Sequence, residues 1–295
     1  MGKLVSDIKK EGLNNFLKFS LAEQVKYAID VGFRHFEITS DIFQLMPFKI
    51  KESEQNKLIS FQKEYNITYS IHLPIWGVDL SSPNRFVREA SIQSIIDTYQ
   101  TFDFLEDSIE VFVLHPTGSF AYDTINMVAD PKVKQFTVEF FSNFAVQSIK
   151  KIISQININL NKIAIENILF PFNKTVEIAE KFEGVKLCID TAHILGGFSN
   201  NFDGQLNLIE IGKKYIDKAR EIHLQDFNPG EGIDHGALGT YKFPAKFVEL
   251  LYENDFKGPV VFELSYKEAY ESIMFIKEHF PECELPELNA NLICE

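Results

Sequence analysis

The chain carries one tryptophan in 295 residues and three cysteines, Cys188, Cys283 and Cys294. The cysteine count is odd and no C-x-x-C pair occurs, which argues against a disulfide framework. Cys188 sits inside an apolar segment and reads as a small buried hydrophobe. Cationic side chains are scarce: 29 Lys and Arg stand against 42 Asp and Glu, for a net charge of −13. A chain so acidic is repelled by polyanions, which weighs against nucleic acid unless a local cluster of metal cations outweighs the average. The N-terminus has no apolar run of signal length, and no stretch approaches the roughly 18 unbroken apolar residues of a membrane span. A soluble, cytoplasmic protein is therefore expected. Linkers and low-complexity segments are also missing. With 45% hydrophobic residues the chain can bury a large core, and α/β barrels of this length run as one unit. One domain over residues 1–295 is expected.

What the sequence does have is a repeated strand–helix alternation. A weak first strand is placed at Lys3–Ile8. A helix follows, capped near Ser20 and stopped at Gly32. The second strand is Arg34–Thr39, and a helix capped by Ser53 runs to Tyr65. The third strand is Ile67–Pro74. Ser82 and Pro83 supply a cap and a first-turn proline for a helix that turns Val87, Ala90, Ile92, Ile95, Ile96 and Tyr99 toward a core. The fourth strand is Ile109–Pro116, and a long helix runs from Val133 to about Ile153. The fifth strand is IAIE, after which Asn173 caps a short helix. The sixth is KLCID, the seventh Glu221–Leu224 and the eighth Pro259–Leu264, with a last helix ending near Phe280. Eight such units with short connections predict an α/β fold, a (β/α)8 TIM barrel with a parallel sheet.

In that fold the C-terminal ends of all strands converge on one face. Here six strands end in a metal-competent residue: His72, His115, Glu166, Asp190, His223 and Glu263. His193 and His235 lie on loops just beyond. One histidine in a strand is more often a satisfied core residue, and one glutamate at a strand end more often meets a lysine. Eight such residues at the same end of successive strands are hard to obtain by chance, and a buried carboxylate costs free energy unless something pairs with it. Imidazole mixed with carboxylate suits Zn, Mn, Fe or Co and not an all-oxygen calcium cage. Eight ligands are too many for one ion; they fit two or three divalent metal ions, with a carboxylate such as Glu166 bridging.

Seven segments then carry a resemblance: IHLPIWGVDLSSPNRFVREASI, FVLHPTG, IAIENI, KLCIDTAHILGGF, EIHLQD, DHGALGTYKF and PVVFELS, from Ile71 to Ser265. Together they resemble the xylose-isomerase-like TIM-barrel superfamily, which includes endonuclease IV and the sugar isomerases and epimerases. The endonuclease IV pattern implies His72, His115 and Glu166 around a first zinc, and Glu166, Asp190, His223 and Glu263 around a second. It implies His193 and His235 around a third. That branch completes its third site with an Asp two residues before the last His, where this chain has Ile233 followed by Asp234. The branch's His-rich first strand is absent, its basic aromatic loop after strand two reads SDIFQLMPF here, and strand eight ends ELS and not ETP. The sugar branch implies one ion held by Glu166, Asp190, His223 and Glu263, with Glu166 and Glu263 moving protons beside a carbonyl. DHGALG is also similar to a stretch of that branch.

Three functions remain in view. The first is hydrolysis of a phosphoester by a metal-activated water, for which His72 and His115 speak because a one-metal isomerase does not need them. The second is a sugar or sugar-phosphate isomerase or epimerase with Glu166 and Glu263 as acid and base. The third is a barrel that binds a metal or small ligand without catalysis. The expectation leans to the first, on a small-molecule phosphoester; DNA is not the favoured substrate, and no membrane partner is expected. Trp76, Asn167 and Asp226 are candidate substrate-pocket residues, Asn167 also as a residue that orients Glu166 and Asp226 also as an acceptor behind a metal-binding imidazole. Lys267, Arg85 and Arg88 are weaker candidates for phosphate.

Overall fold

The computed structural model describes residues 20–45, 50–202, 204–229 and 233–293. The first expected strand, Lys3–Ile8, lies outside them. Among the described residues seven parallel strands form one sheet in the order β1 (His35–Thr39), β2 (Thr68–His72), β3 (Ile109–Leu114), β4 (Ile163–Glu166), β5 (Lys186–Asp190), β6 (Ala219–His223) and β9 (Val260–Val261). The sheet curls until it is nearly closed as a barrel, with helices around it. A two-stranded antiparallel ribbon, β7 (Asp226–Asn228) and β8 (Ile233–Gly236), stands off the end of β6.

Strict alternation along the strands builds two separate interiors. Ile38, Tyr69, Ile71, Phe112, Leu114, Ile165, Leu187, Ile189 and Ile222 point outward and pack under the helices in the main core. Each fully buried aliphatic side chain there contributes about 1.5–3 kcal/mol. The alternate residues face the barrel lumen. On one side these are Val111, Val113, Ala164 and Cys188, a small apolar cluster of their own. On the other side they are His35, Ser70 and Glu221, joined by hydrogen bonds, and Glu37, which meets His223. The alternation ends in His72, Glu166, Asp190 and His223, the last lumen residues of their strands.

Parallel register places these ends side by side. Thr39 pairs with His72, His72 with Val113, Glu166 with Cys188, and Asp190 with His223. His115 is one residue past β3. β9 is shorter than expected: it stops at Val261, so Glu263 is carried two residues beyond the strand.

The helix capped by Ser20 and closed by Gly32 is found as expected, at Leu21–Val31. Three other caps differ. The helix after SSP is Arg85–Thr101, and Asn84, not Ser82, accepts the N-terminal N–H, from Phe86. It begins two residues beyond Pro83, so its apolar face holds Ile92, Ile95 and Ile96, while Val87 and Ala90 are exposed. The helix Glu52–Tyr65 is entered from Lys51 with no side-chain cap, and Ser53 lies within it. Asn173 likewise lies inside Phe172–Glu180, which follows Pro171.

The loops over the barrel mouth are tied to one another. Asp41 Oδ1 accepts the backbone N–H groups of Ile75 and Trp76, and Asp79 Oδ1 accepts those of Ser81 and Gly118. Gly118, three residues past His115, comes so close that a Cβ there would lie 2.9 Å from Asp79 Cβ and Cγ. Gly118→Ala should therefore push the two loops apart and destabilise the protein by about 1–3 kcal/mol, measured as a shift in the denaturant midpoint at unchanged slope.

Candidate metal centre

Eight side chains converge at the C-terminal mouth of the barrel. They fall into three groups, each with one ligand-type atom per residue lying within 4.8 Å of the others: His72, His115 and Glu166; Glu166, Asp190, His223 and Glu263; and Asp190, His193 and His235. All eight residues expected from the sequence are therefore brought together. Glu166 belongs to the first two groups and Asp190 to the last two.

Glu166 is the hub. Its Oε2 lies 3.1 Å from His72 Nε2 and 2.7 Å from His115 Nε2. Its Oε1 lies 3.3 Å from His193 Nδ1 and 3.6 Å from His223 Nδ1. One carboxylate thus shows each oxygen to a different pair of imidazoles. Its side chain is 1% exposed.

The imidazoles are aimed by what holds their other nitrogen. His72 Nδ1 donates to the Leu73 carbonyl at 3.0 Å, which turns Nε2 inward. His193 Nδ1 donates to the Asn167 carbonyl at 3.1 Å, which leaves its Nε2 3.4 Å from His235 Nε2. His223 Nε2 donates to Glu37 Oε2 at 3.3 Å. Its Nδ1 is buried without a hydrogen-bond partner, 3.3 Å from Glu263 Oε2, 3.6 Å from Glu166 Oε1 and 3.7 Å from Asp190 Oδ2. A buried ring nitrogen facing three carboxylates is a place a divalent cation would fit, and the donor set is the imidazole–carboxylate mixture that such ions prefer. The residues fit a metal.

Electrostatics within this cluster are extreme. Burial would raise Glu166, but the imidazoles of His115 and His223 and hydrogen bonds from His115 and His193 together outweigh it and hold its carboxyl well below the usual range. Glu263 is likewise raised by burial but brought down further by His223 and His235. Burial works against charged His72, yet the hydrogen bond to Glu166 and the charges of Glu37, Glu166 and Glu263 push it up to about 10. At His115 burial wins over Glu166 and the pKa falls. Without an ion, the carboxylates are thus neutralised in part by protons on the very nitrogens that would ligate a metal.

Other candidates fall in different places. Asn167 is buried, and its amide is committed to the backbone of Asp190: Nδ2 donates to the Asp190 carbonyl at 3.0 Å and Oδ1 accepts its N–H at 2.8 Å. This side chain clamps β4 to β5 and holds two ligands in step; its polar atoms are not turned to a substrate. Asp226 does not hold an imidazole. Its carboxylate accepts backbone N–H groups from Phe227, Tyr241, Lys242 and Phe243, and so anchors the ribbon that carries His235. Trp76 lies on the loop after β2 and is 53% exposed. Arg88 donates to the Ser82 carbonyl and stacks on Phe144, Arg85 stacks on Phe86, and Lys267 lies exposed beside Glu271.

Sequence reasoning missed Gln225. Its Nε2 donates to Asp190 Oδ2 at 2.7 Å and to Glu263 Oε2 at 3.2 Å, and its Oε1 accepts the Glu263 N–H. This one amide sets the spacing of two ligands. Its only sequence signal was its position two residues after His223 at a strand exit. Glu37 and Glu221, on the far side of His223, were missed as well; each is the one acid of its strand, β1 and β6.

The sequence matches the family described as xylose isomerase-like TIM barrel over residues 25–279. The chain belongs to that family. An uncharacterized protein of Methanocaldococcus jannaschii is 27% identical over 194 residues, 62% of this chain, and the match covers 65% of that relative's length. Among solved structures, a D-tagatose 3-epimerase-like protein aligns with a TM-score of 0.64 at 19% identity, covering 90% of this chain and 95% of the other. Endonuclease IV from Thermus thermophilus aligns with 0.60 at 15% identity, covering 89% and 94%. The 3-keto-D-glucoside 4-epimerase of E. coli aligns with 0.60 at 14%, covering 87% and 94%. At these identities the likeness is one of fold. Among the described residues no helix is long and apolar enough to cross a membrane.

Metal uptake should release protons. His72 keeps its proton in the metal-free protein until the pH passes about 10, so at neutral pH an entering ion must expel it, and apparent affinity should rise with pH. Titration calorimetry in buffers of different ionisation enthalpy should show a net proton release near pH 7; a binding heat independent of the buffer would refute this protonation pattern.

Proposed function

We propose that this protein is a metal-dependent hydrolase of phosphoesters, with two or three divalent ions, zinc or one of Mn, Fe and Co, at the barrel mouth. The observation that carries this reading is the position of Glu166, whose two oxygens face separate imidazole groups. That is the arrangement of a bridging ligand. A single-ion epimerase would need Glu166 free to take and give a proton beside a carbonyl. Here both of its oxygens are engaged, and its carboxyl is held ionised. His72 and His115 are also not needed as ligands in a one-ion site, where they would be left to contact substrate or to stand behind the ligands.

In this reading His72, His115 and Glu166 hold one ion, Glu166, Asp190, His223 and Glu263 a second, and Asp190, His193 and His235 a third. Divalent ions there would supply Lewis acidity toward a phosphoryl oxygen and toward an attacking water. The chain's own part is to keep the ligands at fixed spacing. Asn167 and Gln225 do so through their amides, and the carbonyls of Leu73 and Asn167 fix two imidazole tautomers. Glu263 has the most accessible ligand side chain of the set, at 24% exposed, and faces the incoming substrate; Trp76 borders the approach.

A small phosphoester suits the chain better than DNA. The net charge is −13, and the segment after β1, SDIFQLMPF, holds no basic residue with which to grip a phosphate backbone. The same features favour the second reading, a sugar or sugar-phosphate epimerase that uses Glu166 and Glu263 as acid and base around one ion.

His115→Ala separates the two. Under the hydrolase reading the variant should lose at least about 100-fold in phosphodiesterase activity, and elemental analysis should show fewer ions per chain than in the parent protein, which should hold two or more. One ion per chain in the parent, together with ketose epimerisation that survives His115→Ala, would decide for the epimerase.

A further inference from the structure

His223 is fully buried and has acids on both sides. Its Nδ1 faces Glu166, Asp190 and Glu263. Its Nε2 points into the barrel lumen, 3.3 Å from Glu37 Oε2 and 3.5 Å from Glu221 Oε1. The lumen of such a barrel is ordinarily filled by branched aliphatic side chains, and the opposite wall of this one is: Val111, Val113 and Ala164. Two carboxylates on the facing wall are therefore expensive. Glu37 has a side chain only 5% exposed, and that of Glu221 is 0% exposed. Among the described residues no lysine or arginine pairs with either. Glu221 Oε1 accepts a hydrogen bond from Ser70 Oγ at 3.0 Å, while its Oε2 is buried without a partner. Ser70 in turn meets His35 Nε2 at 2.9 Å, and His35 Nδ1 meets Thr68 Oγ1 at 2.8 Å. The polar row thus runs from the mouth of the barrel back to the start of β1 and β2.

A neutral imidazole carries one proton, and its location decides which nitrogen can bind a cation. With a cation among the three carboxylates at Nδ1, the proton belongs on Nε2, where Glu37 and Glu221 stand to accept it. We propose that Glu37, backed by Glu221, is a positioning residue of the metal centre: it holds the Nε2–H of His223 and so keeps the Nδ1 lone pair presented to Glu166, Asp190 and Glu263. This rests on the reading that those residues hold an ion. It explains why the strands place two buried acids where apolar side chains would pack. It also explains why the acids lie on the far side of the imidazole from Glu166, Asp190 and Glu263, although Glu37, Glu221 and His223 are themselves close enough together to meet an ion. A carboxyl acceptor behind a ligating imidazole fixes its orientation and, when ionised, raises its basicity.

The test is Glu37→Met in the full chain, stripped of metal, with zinc as the probe. Methionine fills the volume without charge. Zinc affinity, read by competition with a chromophoric chelator, should fall about 10–100-fold. The melting temperature of the metal-free protein should hold or rise, because an apolar side chain replaces a buried acid. Glu37→Gln, which keeps an acceptor without the charge, should lose less, and it serves as the reading if the methionine variant does not fold. A merely structural role predicts that affinity and metal-free stability fall together, and that result would overturn the proposal. So would zinc affinity unchanged within about twofold, or loss of one whole ion per chain, which would make Glu37 a ligand. A parent protein that takes up no divalent ion would overturn the metal reading itself, and this inference with it.

Discussion

The arrangement depends on one side chain, Glu166, being tolerated buried at the centre of the barrel mouth. An ionised carboxylate out of water is costly unless it is paired and hydrogen-bonded. Glu166 is offered four imidazoles, two at each oxygen. Those imidazoles cannot all be protonated, because burial and mutual repulsion oppose it; His115 is driven down while His72 is pushed up to about 10. The cluster therefore balances its charge only partly with protons. Divalent cations would balance it more fully with the same atoms, since each ion replaces protons on several ligands at once. The electrostatic frustration of the metal-free site and its fitness for metal are the same property.

The rest of the barrel is built so that this mouth can be polar. Hydrophobic stabilisation is placed outside the sheet, where Ile71, Ile165, Ile189 and Ile222 pack fully buried beneath the helices. Among the described residues the lumen contributes little apolar packing of its own, four small side chains on one wall. The other wall, formed by β1, β2 and β6, is polar down to His35. A substitution in the outer core therefore bears on stability, whereas one in the lumen bears on the centre through His223, which is in contact with both halves of the polar row.

Much of this was legible in the sequence because strand alternation has a period of two. Once IAIE, KLCID and EIH are read as strands, the last inward-facing residue of each is fixed, and Glu166, Asp190 and His223 must share a face. The family likeness rests on those same positions. What was not legible lies in contacts between segments far apart in the chain. Asn167 and Asp226 are polar residues next to ligands, and proximity alone made them look like substrate contacts. The structure gives their polar atoms to backbone groups instead, a use that leaves no pattern in the sequence. Gln225 is the converse: an ordinary amide at a strand exit whose importance follows only from Asp190 and Glu263 lying within its reach. The helix caps failed for a local reason. SSPN offers several capping side chains in a row, and the register is chosen by which turn lets Ile92, Ile95 and Ile96 face the core. Asn84 satisfies that condition and Ser82 does not.

The three ligand groups are not equally prepared. Glu166, Asp190 and His223 end adjacent strands whose register is set by main-chain hydrogen bonds, so the second group is largely preformed by the sheet. Glu263, its fourth member, lies beyond a two-residue strand and is brought to the others by Gln225. The first group adds His115, one residue past β3, in a loop pinned through Gly118 and Asp79. The third group depends on His235, carried on a ribbon that Asp226 anchors from its base. Preorganisation thus declines from the second group to the third as ligands move from the barrel strands to the loops and the ribbon beyond them. Loop-borne ligands can shift without cost to the core, and strand-borne ones cannot. A barrel that keeps Glu166 and Asp190 on strands can therefore vary its rim while the centre of the candidate site stays fixed.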